Sequence, residues 1–110
     1  MSALTVDLAI EAGATFQREF TVTNPDGTAF PLAGYTVRGK LRTLAGVEAA
    51  TFAATATDNK LLIELTAAQT ALLTASAAYS HKYDVEAESP TGIVYRIAQG
   101  QALISAEQTR

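Results

Sequence analysis

The sequence predicts an all-β fold, a small antiparallel β-sandwich with one short helical crossover, and three observations lead to it. Apolar residues recur at every second position in separate runs, such as Leu4, Val6, Leu8 and Ile10, the spacing of a half-buried strand. Turn sequences separate those runs: NPDG at 24–27 and SPTG at 89–92, in which proline presets φ at the second position and glycine suits the last. Only one stretch with a clear start, LTAAQTALL at 65–73, departs from period two towards helical spacing.

Taken in order, the first strand runs from Leu4 to Ile10, with Thr5, Asp7 and Ala9 on its other face, and ends at EAGA. TFQREFTVT forms the second, Phe16, Phe20 and Val22 on one face and Gln17, Glu19, Thr21 and Thr23 on the other. Arg18 falls in phase with the phenylalanines. It reads as a strand-edge arginine whose stem packs while its guanidinium reaches water, against the alternative of a buried ion pair. Beyond the NPDG reversal, Tyr35, Val37, Gly39 and Leu41 alternate with Thr36, Arg38, Lys40 and Arg42, placing three cations on the outer face of a third strand. Val47, Phe52 and the threonines of TLAGVEAATFAATAT favour one or two short strands over a helix.

A turn at Asp58 and Asn59 leads to Leu61, Ile63 and Leu65 on one face of the next strand. Thr66 followed by Gln69 is a capping box: the threonine hydroxyl accepts from the third amide and the glutamine reaches back. A helix of two to three turns at most should start there, with Leu65, Ala68, Leu72 and Ala75 on its apolar face, fading near TASAAY. The clearest strand follows, with Tyr79, His81, Tyr83, Val85 and Ala87 inward and Ser80, Lys82, Asp84, Glu86 and Glu88 outward. After SPTG, Ile93, Tyr95 and Ile97 share a face until Gln99, Gly100 and Gln101 blur the phase, which suggests a bulge near Gly100.

Composition bounds the rest. With 110 residues, 48% of them hydrophobic, residues 1–110 have room for one domain and one core. A formal charge of −3 gives no pull towards nucleic acid or an anionic membrane. There is no cysteine, hence no disulfide or thiolate chemistry. MSALTVDLAIEAG has no basic region and no apolar block suited to a signal peptide, and no run approaches the length of a spanning helix.

Chemistry is sparse. His81 is the single histidine, so a multi-histidine metal site is unavailable, and its phase makes it a packed strand residue with a hydrogen-bonded ring. No G-x-S-x-G and no phosphate loop occurs, and Asp84, Glu86 and Glu88 on one open strand face read as a solvated or charge-paired surface. No enzyme, cofactor, metal or small-molecule substrate is expected. The candidate interaction surface is Arg38, Lys40, Arg42, Lys82, Asp84, Glu86 and Glu88, with basic and acidic strands either paired with each other or meeting another subunit. An alternative is a carbohydrate- or surface-binding module using Tyr35 or Tyr79, the two aromatics near strand starts, with loop polar groups near NPDG and SPTG.

The order VDLAIEAGATFQREFTVTNPDGTAFPLAGYTVRGKLR, then the LTAAQTALL connector after LLIEL, then YSHKYDVEAESPTGIVYRIAQGQALIS and a closing AEQTR resembles small immunoglobulin-like structural proteins of tailed bacteriophages. It is similar, less closely, to the N-terminal domain of phage baseplate upper proteins. The resemblance spans nearly the whole chain and implies an immunoglobulin-like antiparallel β-sandwich. It also implies a non-enzymatic virion role in the tail, neck or baseplate, with other virion proteins and copies of the chain itself as partners. It carries over no active residue.

Overall fold

A computed structural model describes residues 3–75 and 78–106. Met1, Ser2, Ser76 and Ala77 of the fading helical pattern, and the last four residues of the closing AEQTR, lie outside the described residues. The elements are β1 (Leu4–Thr5), β2 (Leu8–Glu11), β3 (Phe16–Thr21), β4 (Thr36–Thr43), β5 (Glu48–Thr57), β6 (Lys60–Leu65), α1 (Ala67–Ala71), β7 (His81–Glu88) and β8 (Val94–Ser105). The fold is all-β with one short helix, as expected.

Strands are hydrogen-bonded in the order β1-β8-β7-β4-β5-β6-β3, with β2 also on β8. The sheet is mixed, and this corrects the expectation of a wholly antiparallel one: β1 and β2 run parallel to β8, while the other pairings are antiparallel. Curling comes from β5. Its first half pairs with β4 up to Phe52 opposite Gly39, and its second half, from Ala53, pairs with β6. The alanine-rich segment is therefore one ten-residue strand that changes partners, with a turn before it closed by the Gly46 amide on the Thr43 carbonyl. Because the sheet curls, residues of β2, β3, β4, β5, β6, β7 and β8 share one core, among them Ile10, Phe20, Leu41, Phe52, Ile63, Val85 and Ile104. The Phe52 ring meets Tyr83 edge-on at 6.4 Å and lies tilted at 6.1 Å from Phe16.

The first strand breaks at Val6 and Asp7, and the cause is tertiary. Register is continuous across the break, Leu4 opposite Ala98 and Leu8 opposite Ala102, so nothing is inserted. Instead, the Asp7 carboxylate accepts from the Gln101 amide, and the Val6 carbonyl turns to accept from the Tyr83 hydroxyl. Gly100 makes this possible, since a Cβ there would overlap the Val6 carbonyl oxygen. The bulge expected near Gly100 lies a few residues earlier. Register between β7 and β8 slips where Val85 faces Ala98 and Glu86 faces Arg96, leaving Ile97 as the extra residue and burying both Ile97 and Ala98.

At Asn24 the turn forms as the sequence predicts. The Gly27 amide donates to the Asn24 carbonyl, Gly27 takes φ 89°, and the Asp26 carboxylate accepts from the amide and hydroxyl of Thr28, which holds that carboxyl below its ordinary pKa. SPTG closes the β7–β8 hairpin in the same manner, the Gly92 amide on the Ser89 carbonyl.

The capping box at Thr66 and Gln69 is present in both directions, at 3.1 and 2.8 Å. The helix is shorter than expected, five residues, and its buried side differs. Leu72 is 86% exposed, whereas Thr70 is fully buried and Leu73 nearly so. The Thr70 hydroxyl donates to the Ala14 carbonyl and accepts from the Gly13 amide, fastening the helix to the β2–β3 turn. The stretch is a connector between β6 and β7, held by a threonine rather than by the leucine that helical spacing singles out.

Candidate functional site

Strand register decides what the charged surface is. On β4 the outward residues Arg38, Lys40 and Arg42 stand opposite Glu86, Asp84 and Lys82 of β7, and across β7 the β8 residues Arg96, Gln99 and Gln101 stand opposite Glu86, Asp84 and Lys82. All seven residues of the expected interaction surface therefore share one polar face over the β4–β7–β8 part of the sheet. Its cations and acids are largely paired with one another. Arg38 reaches Glu86 at 3.4 Å and Glu88 at 3.1 Å, Arg42 reaches Asp84 at 3.2 Å, and Lys40 crosses to Glu48 of β5 at 2.8 Å. Arg96 lies 4.0 Å from Glu86 and donates to the Gln99 side-chain oxygen. Hydrogen bonds to Glu88 and Glu86 hold the Arg38 proton more firmly than usual, and Lys40 holds the Glu48 carboxyl below its ordinary range.

His81 is buried at the start of β7, opposite Thr43 and Ala102, and its Nδ1 lies 2.7 Å from the Ser80 hydroxyl. Burial lowers its pKa, so the neutral imidazole is favoured. Among the described residues no group of three His, Asp or Glu side chains is placed to hold a metal ion, and no helix is long and apolar enough to cross a membrane. Arg18 is exposed with its guanidinium carbon 5.9 Å from the centre of the Phe20 ring, the edge arrangement expected of it.

Tyr35 and Tyr79 do not come together. Tyr35 precedes β4 beside the end of β7, where it packs with Phe30 and Tyr95 at ring-centre distances of 5.7 and 6.3 Å. Tyr79 precedes the start of β7, at the opposite end of that eight-residue strand, and is 43% exposed.

Strand directions also sort the exposed apolar side chains. Leu44 and Val47 of the β4–β5 turn, Leu72 after α1 and Tyr79 before β7 lie at the end where β4 and β6 finish. Ile93 and Val94 of the β7–β8 hairpin, and Leu4, lie towards the other end of a molecule whose longest extent is 43 Å. Period two places Leu4, Tyr79 and Ile93 in phase with core residues, Tyr79 inward, but each lies at or just beyond a strand end, where the sheet no longer covers it, and is exposed. No protein-family model matches the chain, and no curated protein matches it.

Proposed function

We propose, first, that the chain belongs to the class of immunoglobulin-like β-sandwich domains that work through protein contacts without catalysis. More particularly, we propose a structural component of the tail, neck or baseplate of a tailed phage, made in the host cytoplasm and resident in the virion. The sandwich reading is supported by a partner-changing β5 that curls the sheet around one core, and by N-terminal strands added in parallel to the last strand.

One observation carries the contact role: the surface is divided. The broad β4–β7–β8 face is polar and mostly ion-paired, whereas exposed Leu44, Val47, Leu72 and Tyr79 collect at one end and Leu4, Ile93 and Val94 towards the other. Apolar side chains left at the ends of an elongated domain favour end-wise packing between copies or against neighbouring virion proteins. Mass spectrometry of purified particles should find the chain. Sedimentation of the purified protein should show association that weakens when Leu44 and Val47 become serine. Absence from particles, together with a strictly monomeric protein that retains none of its neighbours, would overturn the reading.

A further inference from the structure

We propose that the groove between Lys82 and Arg96 on the polar face is a docking site for an acidic segment of another protein. The inference rests on the contact role proposed above and names the chemistry of one partner.

The argument starts from a rung of the sheet that is electrostatically wrong for an isolated domain. Arg42 and Lys82 stand directly opposite each other on the same face of β4 and β7, and like charges so placed repel. The repulsion is only half relieved. Arg42 turns to Asp84 at 3.2 Å and also lies near Glu48, but no described residue forms an ion pair with the Lys82 ammonium. Every other cation of this face, Arg38, Lys40, Arg42 and Arg96, has a carboxylate within 4.0 Å.

Lys82 also borders a depression. A groove of about 360 Å³ is lined by Arg42, Lys82, Asp84, Arg96 and Gln99, and also by Thr5 and Gly100. Three cations and one carboxylate give its walls a charge of +2, on a chain whose formal charge is −3. Asp84 is engaged by Arg42, and Glu86 is shared between Arg38 and Arg96, the latter at the long distance of 4.0 Å. Lys82 and Arg96 are thus the charges left facing outward. Gln99 adds hydrogen bonding, because Arg96 occupies its side-chain oxygen and leaves its amide nitrogen to donate. Carboxylates of an acidic segment laid along the groove would neutralise Lys82, strengthen the loose pairing of Arg96 and accept from Gln99. The repulsive rung would then become attractive for the complex alone, which is how a charge arrangement selects a partner.

The test uses the whole chain and a fluorescein-labelled octapeptide of alternating glutamate and glycine, followed by anisotropy at low ionic strength. Saturable binding is expected, weakened about tenfold or more by Lys82→Glu and by Arg96→Glu, and little changed by Lys60→Glu, which alters net charge equally at the start of β6. Amide shifts on titration should centre on Lys82, Arg96 and Gln99. Equal weakening by Lys60→Glu would show general charge attraction and overturn the site, as would no binding by the native chain. Displacement of the peptide by an equal concentration of inorganic phosphate would overturn the assignment to protein carboxylates. A chain found in particles but indifferent to the peptide would sink this proposal alone and leave the virion role standing.

Discussion

The Tyr83 hydroxyl donates to the Val6 carbonyl oxygen at 2.5 Å, across the space that any side chain at position 100 would fill. That bond holds the break between the two parallel N-terminal strands, and its partners lie 77 residues apart in the chain. Tyr83→Phe should remove the donor and leave a part-buried acceptor unpaired, costing about 1–3 kcal/mol in urea unfolding. Gly100→Ala should cost about as much through forced backbone displacement. Unchanged midpoints in both variants would show that the break needs no such support.

Alkaline pH offers a separate check on the same side chain. Burial pushes the Tyr83 hydroxyl up to about 12 from an ordinary 10.0, so the folded state holds the proton more tightly than the unfolded one. The stability it contributes is complete below about pH 10 and is lost as pH rises towards about 12. Tyr83→Phe should flatten that limb. A variant with the native alkaline slope would refute the assignment.

Thr70 and Leu72 give opposed expectations for two substitutions in one connector. Thr70→Val keeps the shape but strips the hydroxyl from the Gly13 amide and the Ala14 carbonyl, and should cost about 1–3 kcal/mol. Leu72→Asp, at a side chain 86% exposed, should shift stability by no more than about 0.5 kcal/mol. Thermal or denaturant melts decide the ranking, and a larger loss from the Leu72 variant would reverse it.

His81 sets an acid limb. Burial depresses its pKa, so the stability it lends is full above the unfolded value of 6.5 and is lost as pH falls through the lower folded value. Native protein should therefore lose stability relative to His81→Phe as pH falls below 6.5. Parallel pH profiles would remove histidine from the account.

Arg38 meets two carboxylates, yet all three side chains are more than a quarter exposed. A double-mutant cycle between Arg38 and Glu88 should give no more than the small coupling of an exposed ion pair, shrinking with added salt. A coupling well above that, or one insensitive to salt, would mark the pair as a structural anchor.

What the sequence made legible follows from how far each feature is local. Leu61, Ile63 and Leu65, or Tyr83, Val85 and Ala87, announce their strands because burial alternates residue by residue, and the turns at Gly27 and Gly92 depend on four residues each. The helix start was legible for the same reason. Its inward face was not, since helical spacing projects Leu72 inward only if the helix continues, and it stops at Ala71 so that Leu73 turns inward instead. Strand breaks and partner changes depend on distant residues: Val6 yields to Tyr83 and Gly100, and β5 changes neighbours after Phe52. Of the charged face, both outward stripes were readable from period two. Which cation meets which acid, and that Lys82 meets Arg42, is fixed by register, which no local pattern encodes.

The parallel pairing of β1 and β2 with β8 bears on the order of events at the ribosome. Leu4 joins Ala98 and Glu11 joins Ser105, so β1 and β2 have no sheet neighbour until β8 has left the exit tunnel. A nascent chain that stops short of Val94 has both leading strands unmatched, the Tyr83 hydroxyl without its acceptor held in place, and β7 with a bare edge. Closure of the sheet therefore waits for β8, and a chain cut before Val94 loses the pairing of β1, β2 and β7 together.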